Sequence, residues 1–343
     1  MSLLDEIAEQ PAVVARLLED GAAPVRALGD ELRRREIGFV LVAARGSSDH
    51  AAVYAQYALG VLAGLPVGLA APSVISRYGG HPRLGQALVL GISQSGRSPD
   101  VVGVLEEARA QGALTAAITN DPASTLAGAV DHHLDLEAGE ERSVAATKTY
   151  SAELVAVAML AAELAPDPAA QRAMTALPDA MERALDTERV AERLAAERAA
   201  MDDCVVLGRA FNLASALEWA LKLKELAYVR AQAYSSADFE HGPVASLPTG
   251  GELLAVDAPG PMATDLASLL ARLRAEREIR TLLLAPAGQT VAGDHLPYPA
   301  GLPEWLTPIA GIVPAQLFCL HLTMARGHDP EAPRGLHKVT LTR

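Results

Sequence analysis

The stretch Leu88-Val-Leu-Gly-Ile-Ser-Gln-Ser-Gly-Arg-Ser-Pro-Asp100 joins a predicted buried strand to a predicted helix. The apolar run 87–92 has the length of a buried strand, and Pro99 suits the first turn of a helix. Between them lies a small polar loop, Ser93-Gln-Ser-Gly96. Backbone N–H groups and the positive end of the helix dipole favour an anion at such a loop, and hydroxyls add donors. The stretch therefore predicts either a phosphate pocket or an ordinary turn capped by serines, and the loop alone does not separate the two.

Further strands and helices alternate around this stretch. Apolar runs of strand length occur at 38–44, 65–71, 113–119 and 132–136, and helical patterns occur at 51–62 and 100–111. This alternation predicts a parallel, doubly wound sheet covered by helices on both faces. Ligands of such sheets bind at the carboxyl ends of the strands. The polar loops at 46–48 and 93–98 both fall at such ends.

The second half of the chain repeats this layout. After a predicted helix at 149–165, the strand–helix pairs 203–208 with 214–230 and 251–256 with 264–274 match the first half. We therefore predict an α/β protein of two tandem doubly wound parallel-sheet units. The predicted domains are N-terminal helices at 1–35, a first domain at 36–168, a helical connector at 169–201, a second domain at 202–330 and a C-terminal tail at 331–343 that closes the active site.

Composition and charge exclude several classes of partner. The formal net charge of −13 argues against nucleic acid or an anionic membrane. Cys204 and Cys319 have no metal-ligand spacing and are predicted to be buried apolar residues. The N-terminus has no basic region before an apolar core, and no uninterrupted apolar run is judged long enough to cross a bilayer. We expect a protein of a reducing compartment, the cytoplasm.

Two nucleotide-binding motifs are absent from the sequence. No Gly-x-Gly-x-x-Gly follows the first predicted strand, and Ala70-Ala-Pro-Ser73 stands where an acidic residue would follow the second. No Gly-Lys-Ser/Thr sequence is present either. A loop of hydroxyls without a nucleotide motif favours a small phosphorylated metabolite.

The candidate reactive groups lie in the second half of the chain. Glu218, Lys222 and Glu225 are spaced to share one face of an otherwise apolar helix, which favours a buried site over a solvated salt-bridge stripe. His241 lies in a predicted loop, and Lys338 belongs to a basic tail that either docks or frays. Glutamate, histidine and lysine are the groups needed to open a sugar ring and to move a proton between adjacent carbons.

Six motifs resemble those of the SIS (sugar isomerase) domain family, in the same order and over nearly the whole chain. They are Ala44-Arg-Gly-Ser-Ser48, Ser93-Gln-Ser-Gly-Arg-Ser98, Ser143-Val-Ala-Ala-Thr-Lys148, Ala216-Leu-Glu-Trp-Ala-Leu-Lys-Leu-Lys-Glu225, Glu240-His-Gly-Pro243 and Pro333-Arg-Gly-Leu-His-Lys338. The resemblance is closest to proteins with two SIS units. It implies two flavodoxin-like sheets and an aldose–ketose isomerase type of chemistry on a phosphosugar.

The resemblance also implies a role for each candidate residue. The phosphate would be held by Ser48, Ser93, Gln94, Ser95 and Ser98. The sugar hydroxyls would contact Gly46, Ser47, Val144 and Ala145. Glu225 would move the proton between C1 and C2, His241 would reach the site from the neighbouring subunit of a homodimer to assist ring opening, and Lys338 would close the site from the tail. Lys222 and Glu218 would position these groups.

Departures from the family pattern bear on the reaction. The resemblance implies that the family's aminotransferases have Cys at the position of Arg45 and Ser at the position of Ala146. Glu240 stands where the family pattern has a lysine. These forms are more similar to free-standing deaminases, which implies conversion of glucosamine 6-phosphate to fructose 6-phosphate and ammonia without a metal or an organic cofactor. The chain begins Met1-Ser2 without a cysteine nucleophile, so we expect no glutaminase domain. The alternatives are an aminotransferase-like protein lacking its glutaminase, a fructosamine-6-phosphate deglycase, and a non-catalytic sugar-phosphate sensor.

Overall fold

The computed structural model of the chain describes residues 2–290 and 292–338, and these residues contain two parallel five-stranded sheets. The strands are β1 (Val40–Ala43), β2 (Val67–Leu69), β3 (Leu88–Ile92), β4 (Leu114–Thr119), β5 (His132–Asp135), β6 (Asp203–Gly208), β7 (Arg230–Ser235), β8 (Glu252–Val256), β9 (Arg280–Pro286) and β10 (Asp294–Tyr298). The helices are α1 (Leu3–Ala8), α2 (Gln10–Asp20), α3 (Ala22–Arg34), α4 (Ser47–Ala63), α5 (Ser73–Ser76), α6 (Pro99–Ala110), α7 (Thr125–Gly128), α8 (Lys148–Leu164), α9 (Ala169–Met174), α10 (Leu177–Leu185), α11 (Glu188–Ala196), α12 (Leu213–Glu225), α13 (Ser236–Glu240), α14 (Ala263–Arg277) and α15 (Thr307–Ala325).

The two sheets have the same strand order. The first is β2-β1-β3-β4-β5, the second is β7-β6-β8-β9-β10, and all neighbouring strands pair in parallel. In each sheet the chain moves to one side after the first strand and then returns to the other side, which is the flavodoxin-like order. The prediction of two tandem doubly wound α/β units related by an internal repeat is confirmed.

The chain divides into two compact units, each with one sheet. Among the described residues, unit I comprises Ala12–Arg142, Lys148–Thr175 and 337–338. Unit II comprises 2–11, Ser143–Thr147 and Ala176–Leu336. Each predicted domain is one continuous stretch of the chain, whereas each unit combines separate stretches. The predicted domain boundaries stay a prediction.

The sheet of unit I is covered on both faces. On one face Val89 of β3 shares an apolar cluster with Leu105 of α6 and Leu126 of α7. Side chains alternate along a strand, so Leu88 and Leu90 point to the other face, where α4 and α8 pack against each other. Nearly every residue of α8 is buried, as expected for a helix that is apolar on all sides.

The long helix α15 is central to unit II. It packs against α10, α11 and α12. Among the described residues, the stretch Glu304–Ala325 is long enough to cross a membrane, and an 18-residue window within it has a mean hydropathy of 1.5, although the polar Gln316 and His321 interrupt the apolar run. Because 83% of that window is buried inside the protein, we interpret it as a core helix.

Several elements of unit II differ from the predictions. The predicted helix 214–230 ends five residues early at Glu225, because Tyr228 adopts a left-handed φ of 55° and Arg230 begins β7. The strands β7, β9 and β10 were not predicted. The short helix α13 was not predicted, and it ends directly before His241, which was predicted to lie in a loop.

Candidate functional site

The crevice between β1 and β3 of unit I is the point where the strand order reverses. The two strands pair in parallel, with Val42 opposite Leu90, so the loops that follow them meet at one edge of the sheet. α4 and α6 begin directly after these loops and direct backbone N–H groups toward the crevice. The predicted residues that this edge brings together are Gly46, Ser47, Ser48, Ser93, Gln94, Ser95 and Ser98.

Local hydrogen bonds hold the second of these loops. Ser93 Oγ accepts from the N–H of Gly96 at 3.2 Å, and the carbonyl of Gln94 accepts from the N–H of Asn120 at 3.0 Å. Ser98 is the N-cap residue of α6, yet within the described part of the chain its side chain caps no helix N–H. Ser93 thus stabilises the turn itself, as an ordinary capped turn would require. The Ser98 hydroxyl has no such role in the turn and is suited to bind a ligand.

Gly96 shapes this loop because its position does not accommodate a side chain. Its φ is +60°, and a Cβ there would overlap the side chain of Ser124. Its N–H donates to Ser93 and its carbonyl accepts from the N–H of Leu126 at 3.0 Å. Hydrogen bonds at both the N–H and the carbonyl of Gly96 therefore fix the backbone of the loop.

Gly96→Ala is expected to lower the free energy of unfolding by about 1–3 kcal/mol and to weaken phosphosugar binding, because the loop must shift to admit the methyl group. Urea denaturation and equilibrium binding measure the two effects. The matched control is Gly103→Ala in α6, where a Cβ has open space and alanine favours the helix. If both variants are equally stable, Gly96 does not constrain the loop.

Two buried carboxylates hold the side chains of the first loop. Glu153 of α8 accepts a hydrogen bond from Ser48 Oγ at 2.8 Å. Asp100 in the first turn of α6 pairs with Arg45, with distances of 2.8 Å to Nε and 2.7 Å to Nη2. Because both acids are almost fully buried, these contacts restrict the side chains more than surface contacts would. Neither acid was identified from the sequence.

Three charged residues of α12 form a connected group in unit II. Lys222 Nζ lies 3.4 Å from Glu218 Oε1 and 2.5 Å from Glu225 Oε2. Glu218 and Lys222 are buried, whereas the Glu225 side chain is 23% exposed. Burial disfavours the charged lysine, but the two carboxylates outweigh it and raise the pKa of Lys222. The group is a buried charge cluster with one accessible carboxylate rather than a solvated stripe.

Lys338 pairs with a buried acid of unit I. Its Nζ lies 2.7 Å from Glu141 Oε2. Glu141 also accepts from the N–H of Thr149 at 3.1 Å and from its Oγ1 at 2.7 Å. The tail is therefore docked as far as Lys338. Residues 339–343 of the predicted tail lie outside the described residues.

Val144 and Ala145, two of the predicted sugar contacts, lie in the segment Ser143–Thr147 of unit II. The N–H of Ser143 donates to both carboxylate oxygens of the buried Glu6 at 3.3 Å. The carbonyl of Thr147 accepts from Gln316 at 3.5 Å. Val144 is half-buried and Ala145 is buried, so the segment offers a ligand mainly its backbone.

Comparison with known proteins identifies the family. The SIS domain model matches residues 36–163. The solved structure of a presumed phosphosugar isomerase from Silicibacter pomeroyi DSS-3 is 37% identical, with a TM-score of 0.88 over 96% of this chain and 99% of that one. The chain belongs to the SIS domain family.

Two aminotransferases are also similar to this SIS chain. The glutamine–fructose-6-phosphate aminotransferase (isomerizing) of Gloeobacter violaceus is 36% identical over 355 residues, which cover 98% of this chain. The chain spans 58% of the length of that relative. The C-terminal domain of glucosamine-fructose-6-phosphate aminotransferase from Francisella tularensis is 26% identical, with a TM-score of 0.87 over 96% of this chain and 98% of that domain.

The second SIS-like sheet has a different crevice at the corresponding point. Between β6 and β8 of unit II lies a cavity of about 10 Å³ lined by Asp257 and Glu304. Burial raises the pKa of both carboxyl groups. The Glu304 side chain also occupies the space over Gly260, in the loop that follows β8. Arg209 lines the cavity beside these two acids. The small size of the cavity disfavours phosphate, so of the two crevices the one in unit I suits this ligand better.

His241 lies on the surface of unit II, directly after α13. It lines an open cavity of about 430 Å³ together with Ser236 and Arg272. The neighbouring Glu240, which replaces the lysine of the family pattern, pairs with Arg272 at 2.6 Å. Among the described hydrogen bonds, none joins His241 to Glu225. The role of His241 and its contribution from a neighbouring subunit stay predictions.

Proposed function

We propose that this SIS chain is a phosphosugar aldose–ketose isomerase that acts on an amino sugar phosphate. The observation that carries the proposal is the α12 cluster, in which a buried, charged Lys222 holds the accessible carboxylate of Glu225. A carboxylate held in this way is suited to general base catalysis on a substrate carbon. The isomerising aminotransferases and the presumed phosphosugar isomerase among its relatives support the same chemistry.

The phosphate group is proposed to bind in the crevice of unit I. Two helix N-termini supply backbone N–H groups there, and the serine hydroxyls of the loop after β3 supply further donors, whereas the Ser48 hydroxyl donates to Glu153. Val144 and Ala145 are proposed to contact the sugar hydroxyls through their backbone. Such neutral donors bind a phosphate dianion without a nucleotide motif, in agreement with a small metabolite as substrate.

The specific reaction proposed is deamination of glucosamine 6-phosphate. After ring opening, assisted by His241 of a neighbouring subunit, Glu225 removes the proton from C2, and O1 gains a proton to give an enolamine. Glu225 then returns its proton to C1, and the C2 amine loses a proton and becomes an imine. Water hydrolyses this imine to fructose 6-phosphate and ammonia. Lys338 contacts the sugar near its C1 end, while Lys222 and Glu218 position Glu225. The proposed enzyme is a cytoplasmic homodimer and needs neither a metal nor an organic cofactor for these steps.

The test is the purified protein incubated with glucosamine 6-phosphate. We expect ammonia and fructose 6-phosphate in equal amounts, and deuterium at C1 of the product when the reaction runs in heavy water, because a carboxylate exchanges its proton with solvent. Binding without turnover of any amino sugar phosphate would overturn the proposal in favour of a sensor. Release of an amine from fructosamine 6-phosphate alone would identify a deglycase. Formation of glucosamine 6-phosphate only from fructose 6-phosphate and added ammonia would identify an aminotransferase-like protein.

A further inference from the structure

Tyr228 lies in unit II three residues after Glu225 and contacts the segment that leads to Lys338. Its hydroxyl accepts a hydrogen bond from the N–H of Arg334 at 2.7 Å. The Arg334 guanidinium lies over the same ring, 4.2 Å from its centroid. His328 packs against the ring at 4.7 Å with a tilt of 60°. One aromatic side chain therefore holds the segment 328–334 at two points.

The backbone of Tyr228 indicates that this contact is specified by the fold. An aromatic residue at a φ of 55° is sterically disfavoured, and such a conformation persists only where the surroundings hold it in place. The turn at Tyr228 lies between the end of α12 and the start of β7. Glu331, in the same segment, accepts from the N–H of Leu3 at 2.7 Å, which adds a further anchor within unit II.

We propose that Tyr228 is a positioning residue for the segment 334–338, which fixes Arg334 so that Lys338 is presented to the substrate. Lys338 follows Arg334 by four residues, and four residues span at most about 14 Å, so an anchored Arg334 confines the lysine. Without the anchor, Lys338 would less often occupy its position near the substrate. This inference rests on the proposed function, since it assigns Lys338 a part in turnover.

The experiment compares Tyr228→Leu with Tyr228→Phe in the full chain. The leucine variant loses the hydrogen bond and the ring, whereas the phenylalanine variant keeps the ring under Arg334 and loses only the acceptor. We expect kcat to fall about tenfold in the first and about threefold in the second, with KM within about twofold of wild type. Trypsin cleavage after Arg334, followed by intact mass, should accelerate in the same order. The matched control is Tyr78→Leu at a tyrosine that is 85% exposed, where kcat and cleavage should not change.

The outcomes separate this inference from the proposed function. A wild-type chain that turns over no phosphosugar overturns the proposed function. With an active wild type, equal kcat in Tyr228→Leu and Tyr78→Leu overturns the positioning role, as does faster cleavage with unchanged kcat. A lowered melting temperature with kcat and KM changing together would identify a purely structural residue and would also overturn the inference.

Discussion

Replacing Glu225 with glutamine is expected to lower kcat by roughly 10²–10⁴-fold, the contribution typical of a positioned general base. The amide cannot accept the C2 proton, although it has the size of the carboxylate and its oxygen can still accept from Lys222. Phosphosugar affinity should change by less than about threefold, because the proposed phosphate donors lie on other elements. Steady-state kinetics and equilibrium binding with glucosamine 6-phosphate measure the two quantities. Lys222 keeps the carboxylate of Glu218 at 3.4 Å, so the variant should remain folded.

The control for this prediction is Glu192→Gln, the same chemical change at an exposed glutamate of α11 in the same unit. It should leave kcat, affinity and stability unchanged. Activity of Glu225→Gln close to that of Glu192→Gln would show that Glu225 is not the base. Loss of binding in Glu225→Gln would instead show that the carboxylate holds the substrate, which contradicts the division of roles proposed above.

The sequence predicted the fold best where strands are fully buried. The β3 and β4 segments are continuous apolar runs, and their positions agree with prediction to within a residue. β7 was missed because Arg230-Ala-Gln-Ala-Tyr-Ser235 is an edge strand with several polar side chains. The end of α12 was missed because Leu226 and Ala227 continue the apolar pattern, and neither glycine nor proline marks the turn made by Tyr228.

The candidate site was predictable to the extent that it depends on local spacing. The i, i+4, i+7 pattern placed Glu218, Lys222 and Glu225 on one face, and the structure brings their charged groups together. The acids that hold the other candidates are distant in the chain. Ser48 is 105 residues from Glu153, and Lys338 is 197 residues from Glu141. No periodicity encodes such pairs, because the tertiary fold alone brings them into contact.

Lys222→Met is expected to destabilise the protein by about 3–5 kcal/mol, because it leaves the buried carboxylate of Glu218 without its nearest cation and beside Glu225. Lys224→Met is the matched control, since Lys224 is an exposed lysine of the same helix and its loss should cost less than about 0.5 kcal/mol. Urea denaturation of both variants measures the difference. Equal stability would show that the charge cluster does not depend on Lys222.

A second substitution distinguishes an unpaired buried charge from a simple packing defect. In Lys222→Met/Glu218→Gln the buried charge is gone, so about half of the lost stability should return, while turnover stays low because Glu225 has lost its lysine. A packing defect would leave the double variant no more stable than the single one.

Because the pKa of Lys222 is raised in the folded state, its stabilising effect is fully present below the unfolded lysine value of about 10.4 and is lost as the pH rises through the folded pKa. The difference in the free energy of unfolding between wild type and Lys222→Met should therefore be the same at about pH 7 and about pH 9. A difference that disappears within this range would mean that the lysine is neutral in the folded protein.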